Sequence, residues 1–248
     1  MIEVFGAVGL LVFATTSITI GFRLLWLGRR TRGVPELTIG AGFVVGCLFG
    51  YIPETVVLST DFLTAEVESV VLAVTQVAIR LAAISILVFT TLVFRADAAW
   101  AKRFAVAIGL VLVVSWVQFP FTRIYAVSGR DLFWYDCFAV ARSLAIAWGA
   151  TESFGYYAQL RRRLRLGLAD PLVTDRFLLW GVGMTSMTAL MASTLLASAL
   201  GVDPASAGWV LSESFAGLVG ASTLWLTFFP TAAYRRFVAR RTAGPTTV

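Results

Sequence analysis

The stretch that decides the fold is LFWYDCFAVARSLAIAWGATESFGYYA at residues 132–158, followed by RRRLRLGLADP at residues 161–171. A run of about twenty mainly apolar residues can cross roughly 30 Å of hydrocarbon as a helix. Arginine-rich connections collect on the cytoplasmic side of a membrane. The stretch therefore predicts a spanning helix whose C-terminal end is cytoplasmic. It also contains Arg142 and Glu152, whose charges are costly inside a bilayer.

The composition of the whole chain is that of a membrane protein. Of its 248 residues, 58% are hydrophobic and only 14% are charged, whereas charged residues make up about a quarter of soluble domains. The mean hydropathy is +0.84. Among the basic residues arginine dominates, which together with abundant Ala, Gly and Val indicates a bacterial source. We therefore expect a multi-pass protein of the bacterial inner membrane.

Seven apolar runs are long enough to span the bilayer, and together they predict an all-α integral membrane protein, a seven-transmembrane helix bundle. The runs are about residues 4–27, 37–57, 67–94, 104–121, 132–158, 177–200 and 207–233. Basic clusters follow the first, third, fifth and seventh runs, while the opposite connections hold only Arg123 and Arg130. The N-terminus is thus expected outside and the C-terminus in the cytoplasm. Residues 1–241 form one transmembrane domain, and residues 242–248 are predicted to be a disordered tail.

An internal repeat is one interpretation of the chain. Residues 92–104 (LVFRADAAWAKRF) and 226–237 (LTFFPTAAYRRF) share L-x-F-x-x-x-A-A-aromatic, followed by a basic pair before phenylalanine. The first three runs could then match the last three as a 3+1+3 parallel repeat, with the fourth as linker. The alternative is that any helix ending at the cytoplasm has an apolar, aromatic and basic sequence.

Much cofactor and catalytic chemistry is excluded by what the sequence lacks. No histidine occurs, so haem held by histidine and Ser-His or Cys-His nucleophiles have no candidates. The only lysine, Lys102, lies in a basic connection, so a buried Schiff base with retinal has no amine. Cys47 and Cys137 form no metal-binding or redox motif and are interpreted as packing residues. We expect no cofactor, no metal, no enzymatic activity and no nucleic-acid partner.

Polar residues inside the apolar runs are the candidate functional site. Charged side chains in spanning helices are costly, usually face the bundle interior and often mark a site. On the fifth run, a seven-residue spacing places several of them on one stripe that passes through Gly149. The candidates are Arg80 and Gln76 in the third run, Tyr135, Arg142, Glu152 and Tyr156 in the fifth, and Glu213 in the seventh.

Depth in the membrane predicts which candidates meet. Arg80 lies near the middle of its run, while Arg142 and Glu213 lie in the outer halves of theirs, so these three are expected to be neighbours. Glu152 lies in an inner half, with Arg23 as a candidate partner. Two interpretations stay open: a buried site that binds a carboxylate or handles a proton, and a structural ion pair that specifies packing.

A soft apolar face runs along the sixth span. Trp180, Met184, Met187 and Met191 follow one another at helical spacing. Methionine adapts to irregular shapes, so this face could line an apolar ligand pocket. The alternative is ordinary core packing.

Small residues and prolines predict helix contacts and bends. In the second run Gly42, Gly46 and Gly50 recur every fourth residue and form a groove that should pack against a neighbouring helix, in the same chain or in a second copy. Ala216 and Gly220 form a shorter pair of this kind. Pro230 should kink the last span.

Two functions fit these features. The first is a receptor-like or accessory membrane protein that binds a small ligand or partner within the bundle and acts through its basic cytoplasmic loops. The second is a small transporter or channel that uses the intramembrane Arg/Glu cluster for substrate or protons. Expected partners are anionic lipids on the cytoplasmic face, a cytoplasmic or membrane protein, and a second copy of the chain. The plan resembles that of rhodopsin-type proteins and PQ-loop-type transporters in topology alone, without the lysine of the former or a Pro-Gln pair.

Overall fold

Helices are the only regular elements in the residues that the structure describes. This computed structural model describes residues 2–58, 63–117, 132–203 and 206–242. The elements in chain order are α1 (Ile2–Thr31), α2 (Val34–Val45), a π-helical segment (Gly46–Tyr51), α3 (Ile52–Leu58), α4 (Ala65–Phe94), α5 (Ala99–Val117), α6 (Leu132–Arg165), α7 (Pro171–Leu200), α8 (Ala207–Phe228) and α9 (Ala232–Thr242). The predicted outer end of the fourth run, with Arg123 and Arg130, lies outside these ranges. The predicted disordered tail also lies outside them from residue 243 onward.

Several of these helices are suited to crossing a membrane. Four stretches have the required length and apolarity: Leu11–Thr31, Val34–Val57, Ala65–Phe94 and Ala99–Val117. A fifth is added if the bent pair Ala207–Phe228 and Ala232–Arg241 is one span. Within the described ranges α6, with 34 residues, and α7, with 30 residues, are also long, and α6 carries Arg142 and Glu152. The chain is therefore a multi-pass helical membrane protein.

The long helices form a closed ring. Contacts run from α1 to α2, from α2 to α4, from α4 to α6, and then through α7 and α8 back to α1. The main apolar core fills this ring and includes Ile20, Phe43, Ile86, Met184 and Leu224. α5 packs on the outside against α4 and α6, and only 17% of its residues are buried. The cavities lie between the helices of this ring, and α1 contributes to the walls of both larger ones.

The glycine groove, which begins in α2 and continues into the π-helical segment, packs against α4 within the same chain. A Cβ atom added to Gly46 would lie 2.7 Å from the Ala82 Cβ, and one added to Gly42 would lie 2.7 Å from the Ser85 Cβ. Gly50 has a similar relation to Ile79. The predicted helix contact is thus confirmed, and it depends on the absence of side chains on this face.

A second glycine contact joins α1 and α2 through their backbones. A Cβ atom on Gly40 would lie 2.9 Å from the Gly21 carbonyl oxygen and 2.9 Å from the Leu25 amide nitrogen. Gly21 faces the Gly40 carbonyl oxygen in return, at 3.0 Å. These helices therefore touch along their main chains, which leaves no space for any side chain at either position.

The π-helical segment changes the phase of the second spanning stretch. Its widened turn is closed by the Ile52 N–H, which donates to the Cys47 carbonyl five residues earlier. Pro53 follows at once, and proline has no N–H and collides with the carbonyl of the preceding turn in an α-helix. The wider turn accommodates this collision. It also turns Tyr51 towards α7 and Glu54 towards α4.

The last span breaks at Pro230. α8 ends at Phe228, and α9 continues from Ala232 at an angle of 83°. The predicted bend is confirmed, although the predicted helix to residue 233 ends five residues sooner. α9 lies against the start of α7, where the Tyr234 hydroxyl donates a hydrogen bond to Asp175 Oδ2. The angle therefore brings the last basic residues to the end of the bundle that also carries Arg161 and Arg165.

Contact with α9 should make the stability of the protein depend on the ionisation of Asp175. Partial burial raises the pKa of this carboxyl above its ordinary value of 3.8, and the charge of Arg241 opposes the shift. The folded protein thus holds the proton more tightly than the unfolded chain, so stability falls as pH rises from the ordinary pKa through the raised one. At pH values above the raised pKa, we expect Asp175→Asn to unfold at a higher temperature than the wild type. The unfolding temperature of this variant should also change less with pH.

A pH series of thermal unfolding midpoints in one detergent measures this effect. Asp97→Asn, at an exposed position in the turn after α4, is the matched control and should keep the wild-type profile. Identical profiles for wild type and Asp175→Asn would contradict the prediction.

Candidate functional site

A buried chain of hydrogen bonds links α3, α4 and α5. Arg80 is only 5% exposed, and its Nη1 donates to Gln76 Oε1 at 2.7 Å and to the Gln76 carbonyl at 3.1 Å. Its Nε donates to the Leu112 carbonyl at 3.0 Å. Gln76 Nε2 in turn donates to Glu54 Oε1 at 2.6 Å. A cation and a carboxylate are thus joined through one amide in the bundle.

A second arginine joins this group across an aromatic ring. The Arg80 Cζ lies 4.0 Å and the Arg142 Cζ 4.8 Å from the centroid of the Phe138 ring. Cations are attracted to the face of an aromatic ring. Arg142 Nη2 also donates to the Met191 carbonyl at 3.3 Å. We call Glu54, Gln76, Arg80, Phe138 and Arg142 the Arg80 cluster.

Arg142 is incompletely satisfied in this cluster. Its Nε is buried and has no hydrogen-bond partner among the atoms that the structure describes. Nearly all buried N–H groups in proteins have a partner, and those without one usually face a bound molecule or water. Arg142 also lines a void of about 30 Å³ with Tyr51 and Cys47. The void has room for about one water molecule.

Glu54 is the site residue that the sequence did not reveal. It lies one turn beyond Gly50 and so continues the spacing of Gly42 and Gly46. That spacing was the available signal, because it places Glu54 on the face directed at α4. Because Glu54 is charged and lies close to the end of an apolar run, its sequence position suggested instead that it is exposed to solvent.

A cavity adjoins the Arg80 cluster between α1, the π-helical segment, α7 and α8. It has a volume of about 260 Å³ and is mainly apolar, with Tyr51, Met191 and Glu213 on its wall. The Tyr51 hydroxyl donates to the Met191 sulphur at 3.2 Å. Trp209 Nε1 donates to Glu213 Oε1 at 3.1 Å. We call this the Glu213 cavity.

The structure brings together some of the predicted site residues and separates others. Gln76, Arg80 and Arg142 lie in one cluster. Glu213 lies on the wall of the Glu213 cavity, which none of these three residues lines, and the described residues contain no salt bridge between Glu213 and either arginine. Both arginines instead lie against the Phe138 ring.

Glu152 lies outside the cluster. Arg95 Nε donates to both of its carboxylate oxygens, at 2.9 and 3.0 Å, and Trp148 Nε1 donates to Oε1 at 3.1 Å. The hydrogen bond from Arg95 to Glu152 and the negative charge of Glu152 raise the pKa of Arg95. The candidate partner Arg23 instead stacks on the Phe229 ring, at 4.3 Å from its centroid.

The remaining candidates differ in how deeply they are buried. Trp180, Met184 and Met187 are buried in the main core, and Met191 packs against it. Tyr156 is 37% exposed and packs on Phe177, with ring centroids 4.7 Å apart. Tyr135 is partly buried near the start of α6. Most of the methionine face is therefore core, and its two ends reach cavities.

A larger cavity of about 470 Å³ occupies the end of the ring where the arginines are concentrated. Five helices contribute to its wall, and Trp180 lies at its inner limit. We call it the Arg176 cavity, after the arginine of α7 on its wall.

Fold and site together define an all-helical integral membrane protein with a charged cluster inside its helix bundle and cavities on either side of a closed apolar core. Comparisons with protein-family models, with curated proteins and with solved structures find no match to this chain. Its function is therefore inferred from its own residues.

Proposed function

We propose that the protein is a receptor-like seven-helix membrane protein that binds a small apolar or amphipathic ligand in the Glu213 cavity. The proposal includes an outer N-terminus, a cytoplasmic C-terminus and a location in the inner membrane. The positive-inside rule supports this orientation. The matched ends of α4 and α8, each at the phenylalanine of the shared motif, support the 3+1+3 repeat. A reporter protein that is active only in the cytoplasm should therefore be active when it is fused to the C-terminus.

The observation that carries the proposal is the position of the Glu213 cavity beside a charged cluster. Ligand sites are typically apolar cavities with a few polar groups that orient the ligand. Here Glu213 and Tyr51 on the cavity wall supply those groups, and Arg142 lines the small void that shares Tyr51 with this cavity. A volume of about 260 Å³ suits a ligand of small size.

Filling the cavity should remove the ligand without disturbing the fold. Gly217 lies on the cavity wall, and a Cβ atom there would meet only the Leu190 Cδ1, at 3.9 Å. We expect native mass spectrometry of the wild type in mild detergent to detect a bound small molecule, and the molecule to be lost in Gly217→Leu. Gly109→Leu is the matched control, because a Cβ atom there has no neighbour within 4 Å.

Retention of the molecule in Gly217→Leu, or a wild type that carries none after purification from its native membrane, would contradict the proposal. Glu213→Gln tests the orienting role of the carboxylate separately, because it keeps the shape of the side chain and removes its charge.

In this proposal the signal passes to a separate partner at the basic cytoplasmic face. α9 presents exposed Arg235, Arg236 and Arg240 there, which suits anionic lipid head groups or an acidic protein surface. Crosslinking in native membranes should recover a partner protein at this helix. If the crosslinks to this partner are the same in Gly217→Leu, in which the Glu213 cavity is filled, ligand binding would not affect the partner. That result would contradict the receptor role.

A transporter is the second candidate, because the cavities follow one another through the ring. The small void beside Arg142 shares Tyr51 and Cys47 with the Glu213 cavity and Ile39 with the Arg176 cavity. Such a series would become a path if the apolar core between the cavities opened. Proteoliposomes with a pH-sensitive dye inside should then show proton flux that Glu213→Gln abolishes and Arg103→Gln, on the exposed side of α5, leaves unchanged.

A further inference from the structure

The Arg176 cavity holds two buried hydrogen-bond donors without acceptors. Arg176 Nε and Trp180 Nε1 are both buried, and neither has a partner among the described atoms. Trp180 as a whole is only 5% exposed. The two residues are four apart on α7 and so lie on one face, one turn from each other. Both residues line the same cavity.

The wall around these donors is strongly apolar. Phe43, Phe89 and Phe228 surround the Trp180 ring, with centroids 6.3, 5.6 and 5.6 Å away. Phe89 and Phe228 also line the cavity itself, together with Ile39. The hydrocarbon part of a ligand would pack closely against these side chains, and a purely polar ligand would not.

The charge of the cavity favours an anion. Arg23 and Arg176 lie on its wall, and Glu36 is the one carboxylate there within the described part of the chain. The guanidinium of Arg23 is held over the Phe229 ring, so Arg176 is the cation that can turn to an occupant. Buried donors of this kind are usually matched by an acceptor oxygen.

We propose that the Arg176 cavity binds a single-chain amphipathic carboxylate, with the carboxylate on Arg176 Nε and Trp180 Nε1 and the hydrocarbon chain against Phe89, Phe228 and Ile39. A volume of about 470 Å³ gives the cavity room for one chain rather than for a two-chain phospholipid. The arginine-bearing end of the bundle lies where head groups and acyl chains meet, which is where such molecules concentrate. This site is separate from the Glu213 cavity.

Titration calorimetry in nanodiscs of neutral phosphatidylcholine, with protein-free discs subtracted, tests the proposal. Laurate should bind saturably, whereas dodecanol, which has the chain without the charge, and acetate, which has the charge without the chain, should bind far more weakly. Arg176→Gln should weaken laurate binding by about tenfold or more, the usual effect of losing a charge-assisted hydrogen bond.

Trp180→Phe is the second variant, since it keeps the aromatic packing and removes only the N–H donor. It should weaken laurate binding by a smaller factor than Arg176→Gln. Arg103→Gln on the exposed side of α5 should leave binding unchanged, and unfolding midpoints confirm that each variant is folded.

Three outcomes would overturn the assignment. Equal affinity for dodecanol and laurate would remove the role of the charge. Displacement of laurate by phosphatidylglycerol in the disc would assign the cavity to a bilayer lipid instead. A density map of the laurate-saturated protein with only water in the cavity would show that the two donors are solvated.

Discussion

Gln76→Leu should lower the free energy of unfolding by about 3 kcal/mol, the combined size of two lost hydrogen bonds to charged groups. Gln76 connects Arg80 Nη1, at 2.7 Å, with Glu54 Oε1, at 2.6 Å. Leucine has a similar size but offers neither an acceptor nor a donor. The substitution thus leaves a buried guanidinium and a partly buried carboxylate each without this partner, which is the costly way to break a charged network.

Thermal unfolding in a single detergent measures the loss. Gln159→Leu on the exposed side of α6 makes the same chemical change outside the bundle and should leave the midpoint nearly unchanged. Equal midpoints for the two variants would show that the Arg80 cluster contributes nothing to stability through Gln76.

Gly40→Ala should destabilise the protein by about 1–3 kcal/mol, the usual cost of overpacking a tight contact. The added methyl group would lie 2.9 Å from two backbone atoms of α1, the Gly21 oxygen and the Leu25 nitrogen. Backbone atoms cannot change rotamer, so α1 and α2 must move apart. That movement would also loosen the neighbouring contacts of Ile20 and Phe43 in the core.

The opposite sign is expected at Gly109, which is also in a helix. A Cβ atom there meets nothing within 4 Å, so Gly109→Ala should raise stability by up to about 1 kcal/mol through helix propensity alone. A pair of unfolding curves for Gly40→Ala and Gly109→Ala therefore separates packing from propensity. A shift of the same sign in both variants would contradict the backbone contact between α1 and α2.

Features that depend on local sequence were predictable. The helices follow from apolar length, the break at Pro230 from the missing N–H, and the contact of the α2 groove from the spacing of Gly42 and Gly46. The hydrogen bond from Arg80 to Gln76 likewise follows from their separation by one helical turn.

Features that depend on side-chain reach and helix phase were not predictable. Arginine has a long flexible side chain, so depth alone could not show that Glu152 pairs with Arg95 rather than Arg23. The Gly21 and Gly40 contact requires knowledge of which helices cross and where. Cavities are also invisible in sequence, because they arise where several helices fail to fill the same space.

The π-helical segment that precedes Glu54 has a mechanical consequence. Since Gly46–Tyr51 interrupts the α-helical hydrogen-bond ladder, α2 and α3 are two α-helical segments joined by a wider turn rather than one continuous α-helix. α2 is anchored by glycine contacts to α1 and α4, whereas Tyr51 and Glu54 lie at or beyond the joint. A twist of a few degrees at the joint would change the contacts of Tyr51 with Met191 and of Glu54 with Gln76 while the anchor stays in place. If the Glu213 cavity binds a ligand as proposed, the joint would separate the half of this span that holds the bundle together from the half that carries Tyr51 on the cavity wall.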